Sequence, residues 1–186
     1  MLNLSAPEAA PRLLGWELVR STPKGEIRLK IVETEAYHQA DPASHSHRGA
    51  TTRTAPMFEQ GGRLYVYFIY GVHYCLNIVT GPKGSGEAVL IRAGEPIDGV
   101  ELMRKNRSIT DIHKLANGPA KLTQALGIND TKLSGEVLSE LSISLKPPAT
   151  KITRSDILVS SRIGIKRAVD ELLRFSIKDN KYISGV

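Results

Sequence analysis

The run from Leu64 to Thr80 is strand-forming almost throughout and is broken once, at Gly71. Two such arms around a single glycine read as a β-hairpin, Leu64–Tyr70 and Val72–Thr80. A hairpin makes the pairing antiparallel, which argues against a doubly wound parallel sheet. With a three-residue loop, Tyr65, Tyr67, Cys75 and Asn77 share one face and Tyr70 sits at or beside the tip. A slip of one residue would reverse the faces, so the loop length matters.

The rest of the chain supplies more strands than crossover helices. Ser5 to Leu14 reads as a short helix, with Ser5 and Glu8 at capping-box spacing, Pro7 in the first turn and Gly15 as the stop. Glu26 to Tyr37 reads as a strand in which Ile27, Leu29 and Ile31 share one parity against Arg28 and Lys30. If that strand is regular, Glu33, Glu35 and Tyr37 continue the apolar parity, an unusual place for carboxylates. His38 to Pro56 is polar and reads as a loop around a site. Gly81 to Gly86 reads as a hairpin loop leading to a strand over Glu87–Arg92. Pro96 and Gly99 punctuate the chain before a helix around Gly99–Arg107. Pro119 opens another helix that Gly127 ends. A strand around Leu141–Leu145, a helix near Lys166–Leu173 and a strand over Arg174–Ile177 complete the pattern. The expected fold is α+β: a single compact domain over residues 1–186, with a curved, mainly antiparallel sheet, a protruding β-hairpin and surrounding helices.

Composition narrows the function. Lys and Arg number 25 against 19 Asp and Glu, a net charge of +6, which favours a polyanionic partner. The lone Cys75 excludes a disulfide framework and a four-thiolate zinc site, so an intracellular protein is expected. No uncharged apolar stretch is long enough for a membrane helix, and Met1 to Pro11 lacks the pattern of a signal peptide. Aromatic residues make up only 5% of the chain, yet five of the six tyrosines (Tyr37, Tyr65, Tyr67, Tyr70 and Tyr74) fall between positions 37 and 74.

Several residues are candidates for chemistry. Glu35 is the leading general base, because one carboxylate at the edge of a dry pocket can deprotonate water. Glu33 fits a partner for Arg or Lys on a neighbouring strand at least as well. Tyr37, Tyr67 and His45 can wall a slot for a flat ring, and base–aromatic stacking contributes about 1–3 kcal/mol per base. Tyr70 at a hairpin tip can act as a wedge where a base is extruded from a duplex. Lys121, in the first turn after Pro119, is a candidate phosphate contact. His45 and His47 stand two apart, but no further ligand spacing accompanies them, so no metal and no cofactor are expected. Cys75 lies in an apolar strand and reads as core.

The blocks Ile31-Val32-Glu33-Thr34-Glu35-Ala36-Tyr37, Asp41 to His45, Arg53 to Phe58 and Leu64-Tyr65-Val66-Tyr67-Phe68-Ile69-Tyr70-Gly71 closely resemble the alkyladenine (3-methyladenine) DNA glycosylases. The resemblance continues through Cys75-Leu76-Asn77, Ala88 to Ala93, Glu95-Pro96, Gly118 to Leu122 and Ser161 to Ile165. It implies a monofunctional hydrolase of base excision repair, without metal or cofactor. Such an enzyme flips alkylated or deaminated purines (3-methyladenine, hypoxanthine, ethenoadenine) out of double-stranded DNA and cleaves the N-glycosidic bond. By position it implies Glu35 as the base activating water and Arg92 as its partner. Tyr37, His45 and Tyr67 become the slot for the flipped base, Tyr70 the wedge, and Asn77 the group that clashes with the amino group of guanine. Arg53, Lys121 and Arg162 are expected to contact DNA, with Lys166 and Arg167 adding to the basic cluster. A monomer acting on damaged double-stranded DNA, away from membranes and in the cytoplasm or nucleoid if the source is bacterial, is the expectation.

Two other readings stay open on the residues alone. A non-catalytic nucleic-acid-binding module needs the basic surface and the tyrosines but not Glu35. A hydrolase of free nucleosides needs the slot and Glu35 but neither wedge nor phosphate grip.

Overall fold

The computed structural model describes residues 1–139 and 141–185. The chain begins with α1 (Ala6–Leu13), β1 (Glu17–Thr22) and β2 (Gly25–Tyr37), then the long loop 38–54 and a 3-10 turn, Ala55–Phe58. Next come β3 (Leu64–Ile69), β4 (His73–Thr80), β5 (Glu87–Asp98), α2 (Val100–Arg107) and α3 (Pro119–Ala125). The remaining strands are β6 (Ile143–Lys146), β7 (Ile157–Ser160) and β8 (Arg174–Ile177). All strand pairings are antiparallel, in the order β3-β4-β5-β2-β1-β6, with β8 pairing both β2 and β7. The α+β expectation holds.

Helix α1 forms where the sequence places it. The Glu8 carboxylate accepts from the Ser5 N–H at 3.2 Å and from the Ser5 hydroxyl at 2.6 Å. Ala6, Ala9, Ala10 and Leu13 are buried, so one stripe of mostly small side chains faces the sheet and lets the helix approach closely. The Thr34 hydroxyl donates to the Ala10 carbonyl at 3.0 Å, which places Thr34 on the α1 side of β2.

Strand β2 is not regular. Its register against β5 shifts between Ile31 and Glu33 and again between Glu33 and Thr34. Ile27, Leu29 and Ile31 lie in the main core, and so does Ala36, so the core-facing parity changes from odd to even across the bulge. Glu33 and Glu35 therefore leave the core face instead of continuing it. The bulge lies where β2 changes neighbours: β1 pairs with it over Gly25–Lys30, and β8 pairs with Glu33–Glu35. An extra residue at a strand handover is a usual place for a bulge, and it re-aims the side chains beyond it.

The hairpin has the expected three-residue loop, with Ile69 opposite His73, Tyr67 opposite Cys75 and Tyr65 opposite Asn77. The loop joining β4 and β5 is also as expected. Three readings need correction. Pro96 does not punctuate β5 but lies within it, opposite Leu29, where β4 no longer pairs with that strand; a proline is tolerated where no ladder bond is required of it. No helix forms over Lys166–Leu173; Ala168 there has a left-handed φ of 49°, which a right-handed helix cannot accommodate. The strand around Leu141–Leu145 begins later and runs Ile143–Lys146.

Candidate active site

The face of the sheet opposite α1 forms the floor of a cavity of about 480 Å³. Glu35 and Tyr37 of β2, Tyr65 and Tyr67 of β3, Cys75 and Asn77 of β4 and Arg92 of β5 all line it. The loop 38–56 supplies His45 to one wall, and the segment after β7 supplies Ile163–Arg167 to another. Most of the residues singled out in the sequence thus meet in one place.

The long loop is held by its own polar side chains. The Ser46 hydroxyl donates to the Gly86 carbonyl at 2.6 Å, and the hydroxyls of Ser44 and Ser46 are 2.8 Å apart. Gly86 has a φ of +65°, and a Cβ there would stand 2.8 Å from the Phe58 ring, so the contact needs glycine. His45 is carried by this loop against the tyrosines. Its Nδ1 is 2.9 Å from the Tyr65 hydroxyl, and its ring centroid is 4.5 Å from that of Tyr67, edge to face. Burial of the ring, with the Arg53 charge beside it, lowers the His45 pKa to about 4. The imidazole is therefore neutral at pH 7, able to stack and to exchange hydrogen bonds.

Glu35 is fully buried. Its Oε1 accepts from the Ile163 N–H at 2.8 Å and stands 3.2 Å from Arg92 Nη1. Its Oε2 accepts from the Tyr37 hydroxyl at 2.8 Å. Burial, together with the Glu35 charge, raises the Tyr37 pKa far above its ordinary range, so the phenol remains a donor. A carboxylate has about four acceptor sites. Three are engaged by Ile163, Arg92 and Tyr37.

Arg92 does more than accompany Glu35. Its Nε is 3.3 Å from Glu33 Oε1. Burial works against its charge, but Glu35 and Glu33 outweigh that and its pKa is raised. Glu33 in turn accepts from Arg174 Nε at 2.6 Å and from the Ser184 N–H at 2.7 Å. It has the neighbouring-strand arginine partners that its position allowed for, one on β5 and one on β8.

Asn77 is buried in the cavity floor, with Nδ2 donating to the Tyr65 carbonyl at 3.0 Å. Cys75 is buried beside it, and burial pushes its thiol pKa up, which disfavours a nucleophilic thiolate. Tyr70 stands at the hairpin tip, 77% exposed with a left-handed φ of 54°. Val72 beside it is also exposed, so the tip presents apolar surface to solvent. Arg53 is exposed and lies over the Tyr67 ring, 5.4 Å from its centroid. Lys121 lies on α3, where its Nζ donates to Asn117 Oδ1 at 2.9 Å, next to the cavity-lining Pro119 and Ala120. Lys166 and Arg167 are exposed and line the cavity.

Arg162 is the exception among the candidate DNA contacts. Its side chain is fully buried, it forms an ion pair with Asp41, and it donates to the Ala36 carbonyl at 3.0 Å. Its guanidinium also lies over the Tyr37 ring, 4.7 Å from the centroid. A side chain enclosed in this way has no surface left for a phosphate, and it instead supports Tyr37 from beneath.

Sequence reasoning missed the roles of the Ile163 N–H, Arg174 and Ser184. The block Ser161–Ile165 drew attention to Arg162, whereas its backbone amide is the group that reaches Glu35. Arg174 and Ser184 carry no local signal, because their meaning depends on Glu33, 141 and 151 positions away. Among the described residues, no group of three or more His, Cys, Asp or Glu is placed to hold a metal ion. His47 Nδ1 is 3.2 Å from the Gln39 carbonyl, so the two loop histidines face different partners.

Comparison with known proteins finds similarity along nearly the whole chain. The family model described as methylpurine-DNA glycosylase (MPG) matches residues 1–181. A protein of Francisella tularensis subsp. tularensis (strain FSC 198), named "Putative 3-methyladenine DNA glycosylase", is 48% identical over 185 residues, covering 99% of this chain and 96% of the relative. A protein of the same name from Carboxydothermus hydrogenoformans is 47% identical over 175 residues, covering 94% and 91% of the two chains. Another from Methanoculleus marisnigri is 47% identical over 157 residues, covering 83% and 81%.

Proposed function

The chain belongs to the methylpurine-DNA glycosylase family, and from that premise we propose that it excises alkylated or deaminated purines from duplex DNA by hydrolysis with a Glu35-activated water. The observation that carries the proposal is Glu35 itself. It is a fully buried carboxylate in the floor of a cavity, held by Tyr37, Ile163 and Arg92.

The chemistry balances on these residues. Glu35 takes a proton from water, and the water oxygen bonds to C1′ of the sugar. The C1′–N bond breaks, and its electron pair leaves with the base. A purine alkylated at N3 is already cationic, so it departs neutral without an acid. For such a cationic lesion a single general base suffices, where sugar glycosidases use two carboxylates, whereas a neutral purine such as hypoxanthine must also be protonated as it leaves. Tyr37, His45 and Tyr67 would grip the flipped ring, and Asn77 in the floor would clash with the amino group of guanine. Tyr70 would fill the gap left in the stack, with Arg53, Lys121, Lys166 and Arg167 on phosphates.

The test is release of free base from duplexes carrying 3-methyladenine, hypoxanthine or ethenoadenine, with the corresponding free nucleosides in parallel. Base release from duplex is expected. Salt-sensitive binding without release would favour the binding-module reading. Equal turnover of free nucleoside would favour a nucleoside hydrolase.

A further inference from the structure

We infer that Glu33 is a positioning residue for the reaction: it shares Arg92 with Glu35, and, braced by Arg174 and Ser184, it keeps that arginine from fully neutralising the base. The inference rests on the reading of Glu35 as the general base.

The geometry is a row of alternating charges. Glu35 Oε1 is 3.2 Å from Arg92 Nη1, Arg92 Nε is 3.3 Å from Glu33 Oε1, and Glu33 Oε1 is 2.6 Å from Arg174 Nε. Glu33 and Glu35 are fully buried, Arg92 nearly so, and the Arg174 side chain is 16% exposed. The row is tied off by Ser184, whose N–H donates to Glu33 Oε2 at 2.7 Å and whose hydroxyl donates to Oε1 at 2.9 Å. The Ser184 hydroxyl also lies 3.1 Å from Arg92 Nη2, so one residue fixes both members of the central pair.

Such an arrangement solves a conflict inherent in the site. An arginine against a general base orients it, but a lone cation also makes the carboxylate a poorer proton acceptor. A second carboxylate on the same guanidinium divides that attraction. Arg174 then limits the repulsion that two neighbouring buried carboxylates would otherwise impose. The other groups facing Glu35 are the Tyr37 hydroxyl, the Cys75 thiol and the Ile163 N–H, and Arg162 acts on Tyr37 from below. Among the described residues, the acidic side chains reaching Arg92 are Glu35 and Glu33.

Substituting the two members of the row beyond Arg92 should move the pH profile in opposite directions. Glu33→Gln removes a negative neighbour, so the acid limb of kcat against pH for the full-length enzyme on a 3-methyladenine duplex should move down by about one unit. Its plateau rate should also fall. Arg174→Gln removes a positive neighbour, and the limb should move up by about one unit. Glu33→Asp keeps the charge and should leave the limb where the parent has it. Binding to a duplex with an abasic-site analogue should be unchanged in all three. Limbs that stay put, or shift together, would overturn the inference and leave Glu33 a structural residue. If Glu33→Gln does not fold, the direction seen with Arg174→Gln decides. Glu35→Gln is run in the same assay. Base release by that variant would instead remove the premise, whereas an inactive Glu35→Gln with unmoved limbs refutes only the role of Glu33.

Discussion

The backbone N–H of Ile163 donates to Glu35 at 2.8 Å, across 128 positions of chain. The amide that holds the proposed base thus belongs to the residue after Arg162, which is anchored in the interior. Orientation of the carboxylate is therefore set by a buried side chain one position away.

Glu35→Gln should bind damaged duplex with near-parent affinity and lose base release by about 10²- to 10⁴-fold, the usual contribution of a general base. Glutamine keeps the shape but cannot accept the water's proton. Single-turnover release of 3-methyladenine measures it, and release at the parent rate would remove Glu35 from the mechanism.

Arg162→Ala should destabilise the fold by about 3–5 kcal/mol, because it leaves Asp41 buried without its charge partner. Both side chains are fully enclosed, and Nη2 is 3.1 Å from Asp41 Oδ1. A urea melt reads this as a lower midpoint. A parent-like midpoint would mean the pair contributes little and would reopen a role at the surface.

Tyr70→Ala should weaken excision from duplex while sparing excision from single strands, where there is no stack to refill. Because the side chain is 77% exposed, stability should change by no more than about 0.5 kcal/mol. Equal loss on both substrates would contradict a wedge at the hairpin tip.

The acid side of stability should carry a contribution from His45. Its folded pKa, about 4, lies below the ordinary value of about 6.5. Between those values the unfolded chain binds the proton that the folded chain refuses. The stabilisation from keeping the ring neutral is thus fully present above pH 6.5 and is lost as pH falls toward 4. An NMR titration of the His45 ring should give the low midpoint, and Arg53→Gln should raise it. A midpoint near 6.5 would show the ring to be solvated.

Lys166→Gln and Arg167→Gln should each lower the slope of log affinity against log salt by about 0.9 if the residue neutralises one phosphate. Both are exposed at the cavity. A slope that stays constant would place the phosphate grip elsewhere.

The hairpin and its face were legible because alternation and one glycine fix them locally. Tyr65, Tyr67, Cys75 and Asn77 share the floor of the cavity as that pattern requires. Strand β1 gave no comparable signal, since Glu17–Thr22 mixes polar residues on both faces and owes its place to pairing with β2 and β6. The bulge at Glu33 was hidden because a register shift depends on which strands flank β2, and β8 arrives from the far end of the chain. The same non-locality misled the reading of Arg162. A cation counts as surface charge until its carboxylate partner is known, and Asp41 lies 121 positions away. Glu35, Tyr37 and Arg92 were singled out in the sequence, whereas the Ile163 N–H that also holds the carboxylate was not.

The bond between Ser184 and Glu33 also sets an order of events during synthesis. Ser184 is made 151 residues after Glu33, which at ordinary translation speeds is on the order of 10 to 30 s. Arg92, Ile163 and Arg174 emerge before it, but throughout that interval Glu33 lacks both of its bonds from Ser184. The sheet around them can form early, but the cavity cannot reach its final electrostatic state until the last of its restraints has emerged. Nascent chains arrested before Ser184 should therefore bind duplex DNA yet release base slowly, and parent-like release from such chains would show the late bond to be dispensable.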